Sequence, residues 1–208
     1  PAPQPATTAV APAAAGTYEY ATAGAYTYGG QDHPLPDRTT LLVDPADGER
    51  QRFVRDVRDT AGNGPSIETV LLFRPDGIYL ESITVRTLYQ GFEDVQALRS
   101  DPPALYVPVS ATVGDRFTYE LAAPATTATV DAVITREETI DVGGTAVRTF
   151  VVETTTRFEG TINGTLAATG WLSPERALIV REVVDSSMRF ALIETRGRYE
   201  STMTSATP

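Results

Sequence analysis

GWLSPERALIVRE, residues Gly170–Glu182, is the stretch whose reading decides the fold. An apolar pair runs through Ser-Pro-Glu into a second apolar run. That is a strand, a tight turn with proline at its first central position, and a returning strand. LLFRPDGIYLE, Leu71–Glu81, repeats the plan, with Pro75-Asp76 where Pro174-Glu175 stands. Both copies keep the parts that build a hairpin. The copies differ at Leu72 against Trp171 and at Arg74 against Ser173.

Outward from these hairpins the same grammar continues. Tyr18 and Tyr20 share one face of a strand within Thr17–Tyr28, because successive side chains of a strand point to opposite sides. Within Arg50–Thr60, Phe53, Arg55 and Val57 share one face and Val54, Asp56 and Arg58 the other. Further strands are expected at Arg38–Val43, Ile67–Phe73, Gly77–Thr87, Tyr106–Val109, Arg116–Ala122, Thr126–Glu138, Ala146–Phe158, Thr165–Leu172, Ala177–Asp185 and Arg189–Met203. Pro108 confines the Tyr106 strand to an edge. Turns are expected at Asp44–Gly48, Ala61–Pro65, Asp141–Gly144 and, as a type I′ hairpin, at Asn163-Gly164. Gly29–Asp37 reads as a loop. The spacing of Phe92, Val95 and Leu98 predicts a short helix over Tyr89–Ser100, ended by Asp101-Pro102-Pro103.

The halves resemble each other. Tyr18 and Tyr20 correspond to Phe117 and Tyr119, QRFVRDVRDT at Gln51–Thr60 to RTFVVETTTR at Arg148–Arg157, and Pro75 to Pro174. The expected fold is therefore all-β and antiparallel: an internally duplicated meander forming a strongly curved sheet, half-barrel or barrel, with at most one short helix near 89–100. A Pro/Ala/Thr-rich spacer over 1–16 is expected to be disordered. One domain follows over 17–200, made of halves at about 17–100 and 113–200, and then a flexible tail at 201–208.

Composition narrows the function classes. All 17 basic residues are arginine, which fits the codon bias of a GC-rich genome such as an actinobacterium's. The net charge of −10 argues against a nucleic-acid partner, since phosphate binding needs a positive field. No apolar run approaches the ~20 residues of a membrane-spanning helix. The absence of cysteine excludes disulfides, thiol catalysis and thiolate metal sites. The spacer and the start at Pro1 are read as those of an exported chain whose signal peptide has been removed, secreted or lipid-anchored at the bacterial cell envelope.

Val113-Gly114-Asp115-Arg116-Phe117, Glu137 with Gly143-Gly144-Thr145 before the strand Val147–Thr156, and Trp171-Leu172-Ser173-Pro174 followed by Leu178-Ile179-Val180-Arg181 resemble bacterial extracytoplasmic β-proteins of the DUF3108 type. These are related in shape to half-barrel lipoprotein carriers of the LolA and LolB kind. The resemblance covers about residues 113–185, with a fainter echo in 16–87. It implies a curved sheet with a concave apolar face and carries no catalytic residues.

Chemistry-bearing motifs are few in this sequence. His33 is the single histidine; it lies between Asp32 and Pro34, without a G-x-S-x-G elbow. Asp44–Glu49 has oxygen ligands around a glycine but not the spacing of a calcium loop. Catalytic residues, metals and cofactors are accordingly none. Trp171, Tyr18, Tyr20, Tyr79, Phe117 and Tyr119 are the candidate ligand-binding residues, since rings with a polar tip suit amphipathic ligands. Core packing and cross-strand pairing explain the same rings. The function expected is a non-catalytic protein that binds an apolar or amphipathic ligand, such as a lipid, in the concave face. A structural or protein-interaction module of the cell surface, with an envelope protein as partner, is the alternative.

Overall fold

A computed structural model of the chain describes residues 11–28, 30–59, 62–89, 91–190 and 193–208. The strands are β1 (Gly16–Tyr28), β2 (Gln31–Pro34), β3 (Arg38–Val43), β4 (Arg50–Asp56), β5 (Gly64–Arg74), β6 (Gly77–Tyr89) and β7 (Phe92–Pro108). They continue with β8 (Arg116–Ala123), β9 (Thr126–Val142), β10 (Thr145–Gly160), β11 (Ile162–Ser173), β12 (Leu178–Phe190) and β13 (Ile193–Met203). Each pairs antiparallel with its neighbour in one sheet. β2 and β3 both lie antiparallel to β1, along its second and first parts. They form one interrupted strand, so the barrel has twelve staves.

Pairing of β1 with β13 closes the sheet, in register from Tyr20 opposite Met203 to Tyr28 opposite Thr195. At this closure two glycines make room. Gly24, at φ +135°, has no space for a Cβ against Arg198 and Tyr199, and a Cβ on Gly197 would enter the Tyr26 ring. Extra residues in one strand of a pair increase local twist. They occur at Glu81 opposite Val70/Leu71, at Thr135 opposite Val151/Val152, and at Val180 opposite Trp171/Leu172. Such bends help a flat ribbon to curl into a closed barrel.

Both organising stretches are hairpins. The first turns through Pro75-Asp76, and the second through the four residues Pro174–Ala177, with Ala177 at φ 53°. Tyr18, Tyr20, Val43, Phe53, Leu71, Phe73, Ile78, Leu80 and Leu172 belong to one buried cluster. The outward side of the wall carries ion pairs such as Arg50–Glu81, Arg52–Glu68, Arg148–Glu137 and Arg181–Glu200. Exposed pairs of this kind add little stability. They do mean that the wall is not a lipid-facing apolar band, where arginine is costly.

Four expectations are corrected. No helix forms among the described residues of 89–100: Tyr89 ends β6, and Phe92 to Ser100 lie in β7. Leu98 is buried, but Phe92 is 81 % exposed and Val95 44 %, so spacing by threes brings no common face into the core. β7 instead pairs with β6 from Phe92 opposite Tyr89 onward. Asn163-Gly164 lies inside β11, opposite Arg189 and Met188. The preceding turn is made at Gly160-Thr161, where the Asn163 side chain donates to Gly160 O.

The Gly29–Asp37 loop contains β2, with Gly29 itself outside the described residues. Both terminal stretches dock where polar-tail reasoning expects none. Ala13 is buried, and its N–H and carbonyl are both held by the Gln51 amide at 2.8 Å. At the other terminus Ala206 is buried and its carbonyl accepts from Arg176 Nη1 at 2.7 Å. The first ten residues of the expected spacer lie outside the described residues.

Candidate functional site

The inward-facing residues of six consecutive strands, β7 to β12, surround a cavity of about 70 Å³. Its walls are mostly apolar: Phe117 from β8, Ile134 from β9, Val152 from β10, and Leu172 and Ile179 from the β11–β12 hairpin. Tyr106 and Tyr119 meet edge to face on its β7–β8 side, with centroids 6.4 Å apart and planes at 72°. Glu182 supplies the one carboxyl in the lining.

Across the lumen stands Arg55, from β4. Its Nη2 lies 3.5 Å from Glu182 Oε1, with the side chains 12 % and 22 % exposed. Its guanidinium sits 3.6 Å over the Tyr20 ring, a cation–π contact strengthened by exclusion from water. None of its three nitrogens has a hydrogen-bond partner. Tyr20 donates its hydroxyl to Ile179 O at 2.7 Å. Tyr26 and Tyr199 pack beyond it, with ring centroids 5.8 Å apart and planes at 52°. The lumen thus holds one ion pair in a collar of tyrosines, above an apolar chamber.

The electrostatics follow from burial. Loss of hydration raises the proton affinity of Glu182 above its ordinary 4.5, and the nearby Arg55 charge pulls it back only in part. The part of the Glu182 side chain that is not covered by protein faces the cavity it lines. Burial likewise raises the phenols of Tyr20, Tyr26, Tyr106, Tyr119 and Tyr199, so all five remain neutral donors.

A carboxyl whose folded pKa is raised stabilises the fold while protonated in both states. That contribution is lost as pH rises from 4.5 through the folded value. Chemical unfolding at pH 4.5 and at pH 7 tests this: Glu182→Gln should gain stability relative to the native chain as pH rises. A constant difference across the window would show that Glu182 titrates normally.

The six sequence candidates separate. Phe117 and Tyr119 line the cavity, and Tyr20 stands in the collar. Tyr18 is buried with its hydroxyl on Ala14 O at 3.0 Å. Tyr79 lies at the β5–β6 turn, bonded to Asp76 at 2.6 Å with Arg74 over its ring. Trp171 is buried beneath Arg181, its Nε1 donating to Glu138 at 3.1 Å. Neither Tyr79 nor Trp171 lines the cavity.

Sequence reasoning missed the charged pair. Its signal was present: Arg55 falls between Phe53 and Val57 on an apolar face, and Glu182 closes the apolar run after Pro174. Elsewhere, His33 is half-buried in β2, opposite Tyr26. Two of the three carboxylates of the calcium-like turn are engaged: Asp44 accepts from Arg52 at 2.9 Å and Glu49 from Arg74 at 3.3 Å. Among the described residues, no group of three or more metal-ligating side chains converges.

No family model matches the chain, and no curated protein matches it. Among solved structures it is similar to the hypothetical lipoprotein YmcC from Escherichia coli K12. That likeness has 11% identity and a TM-score of 0.36, and covers 86% of this chain and 85% of the other. At this level it carries no argument about ligand, activity or location.

Proposed function

We propose that the protein is a non-catalytic binding protein that holds an apolar or amphipathic small molecule, such as a lipid chain, inside its barrel. The observation that carries this reading is the chamber itself. Apolar side chains from six strands converge on a cavity with a single buried carboxyl at its edge. Small-molecule sites have this composition: apolar walls and a few placed polar groups. The Pro/Ala/Thr-rich stretch before β1 supports a place outside the cytoplasm, tethered at the bacterial envelope.

One observation favours a second reading, a structural or protein-interaction module of the cell surface. Arg55 and the tyrosine collar fill much of the lumen, leaving about 70 Å³. That is roughly half of the ~150 Å³ of an apolar cavity that admits benzene. Native mass spectrometry after gentle, detergent-free extraction separates the two. A co-purifying small molecule, together with fluorescence enhancement of N-phenyl-1-naphthylamine by the stripped protein, supports the binding reading. A clean apo mass with no dye binding favours the module.

A further inference from the structure

We infer that the lumen is entered sideways, through the seam between β7 and β8, and that the site takes a single-chain amphiphile with a zwitterionic head. The tail passes Tyr106 and Tyr119 into the apolar chamber, and the head stays in the cleft outside. This rests on the binding reading above.

The seam is where registered backbone pairing is sparsest, although β7 and β8 stay side by side along it. Even the short pairings β1–β2 and β3–β4 hold four registered residues each. Between β7 and β8 the described residues give a single registered pair, Arg99 opposite Ala122. The cause lies in β7. It pairs with β6 through Arg99 opposite Ser82 and resumes at Ala104 opposite Leu80, so Ser100–Pro103 bulge out against Glu81 alone. Pro102 and Pro103 have no N–H to offer a neighbouring strand, and neither has Pro108 at the strand's end.

Over this gap lies an outer cleft containing Arg99, Asp101, Glu120 and Tyr119. Tyr119 also lines the inner chamber. Tyr119 therefore borders both spaces, and its ring stands edge to face with that of Tyr106. A chain cannot share about 70 Å³ with that pair in place, so the rings are both the gate and the present occupants.

The cleft also selects a head. Arg99, Asp101 and Glu120 make no ion pair there, although most arginines of the barrel wall do. An unpaired cation beside two unpaired carboxylates suits a head carrying both signs better than one carrying either alone.

The chain has no cysteine, so a disulfide can be placed at will. The double variant Arg99→Cys/Ala122→Cys joins the one registered pair of the seam, at a spacing a disulfide accepts. Ala23→Cys/Glu200→Cys does the same across the β1–β13 closure and serves as control. Stopped-flow uptake of N-phenyl-1-naphthylamine is expected to be about tenfold slower in the oxidised seam variant than in its reduced form. The oxidised control should take up dye at the native rate.

Dodecylphosphocholine, below its micellar concentration, should displace the dye more effectively than dodecanoate or dodecyltrimethylammonium. Equal uptake rates in both oxidised variants would overturn the seam as the port, while leaving the binding reading intact. Displacement by a singly charged chain as strong as by the zwitterion would overturn the head assignment. Failure of the native protein to bind dye at all would remove the binding reading, and this inference with it.

Discussion

Replacing Arg55 by methionine is expected to destabilise the fold by ~3–5 kcal/mol, because it leaves a buried carboxylate without its counter-charge. Glu182 already pays for its burial: its proton affinity is raised even with Arg55 at 3.5 Å. Without the guanidinium it either takes up a proton or stays ionised in the lumen at greater cost. The double variant Arg55→Met/Glu182→Leu should recover most of the loss, and apolar replacement of both partners can leave a protein more stable by ~1–4 kcal/mol. Urea unfolding midpoints of the two variants measure this, since stability falls linearly with denaturant. A single variant that unfolds at the native midpoint would mean that Glu182 needs no partner. Recovery in the double variant would also show that the pair is kept for a purpose other than stability, as a ligand site would require.

Trp171→Ala should cost ~3–5 kcal/mol, the usual range for deleting a buried indole. The ring is 6 % exposed, lies beneath the Arg181 guanidinium at 4.5 Å, and donates to Glu138. Truncation removes all three relations and leaves a void beside Val151, its partner in β10. Trp171→Phe keeps most of the buried area and loses the N–H donor, so a smaller loss is expected. Because Trp171 lines neither the chamber nor the outer cleft, Trp171→Phe should bind N-phenyl-1-naphthylamine as the native chain does. Thermal or urea unfolding of the two variants gives the first answer, and dye titration the second. A loss of dye binding in the phenylalanine variant would return Trp171 to the site.

The all-β class was legible because alternation and turn chemistry are local. Tyr18 and Tyr20 against Glu19, or Pro75-Asp76 between two apolar runs, state their geometry within a few residues. Closure was less legible: that Tyr20 meets Met203 depends on how far thirteen strands accumulate twist, which no short window contains. The 89–100 stretch failed for a related reason. A period of three in Phe92, Val95 and Leu98 is a helix signal only if the three face the core. Here Phe92, opposite Tyr89 at the start of β7, stands in solvent.

Of the chamber, Phe117 and Tyr119 were found as aromatic alternation in β8. Arg55 and Glu182 carry no such local signal, because a charge on an apolar face looks like noise until its partner is placed four strands away, across the β1–β13 closure. Tyr79 and Trp171 show the converse. A ring with a polar tip serves equally well to pin a turn or to roof a sheet.

The meeting of β1 with β13 also sets the order in which the protein can be assembled. Every other strand finds its neighbour among residues made just before or after it. β1 has only β2 and β3 on one side, and its other edge stays open until β13 exists. During that interval Tyr20, Thr22 and Tyr26 face no interior, and a row of free backbone N–H and C=O groups is available to any extended segment. Pairing across so much chain is slow and exposes the nascent protein to aggregation. A barrel that joins its first stave to its last is thus a chain that must be kept apart from its own kind until synthesis reaches residue 195 and beyond.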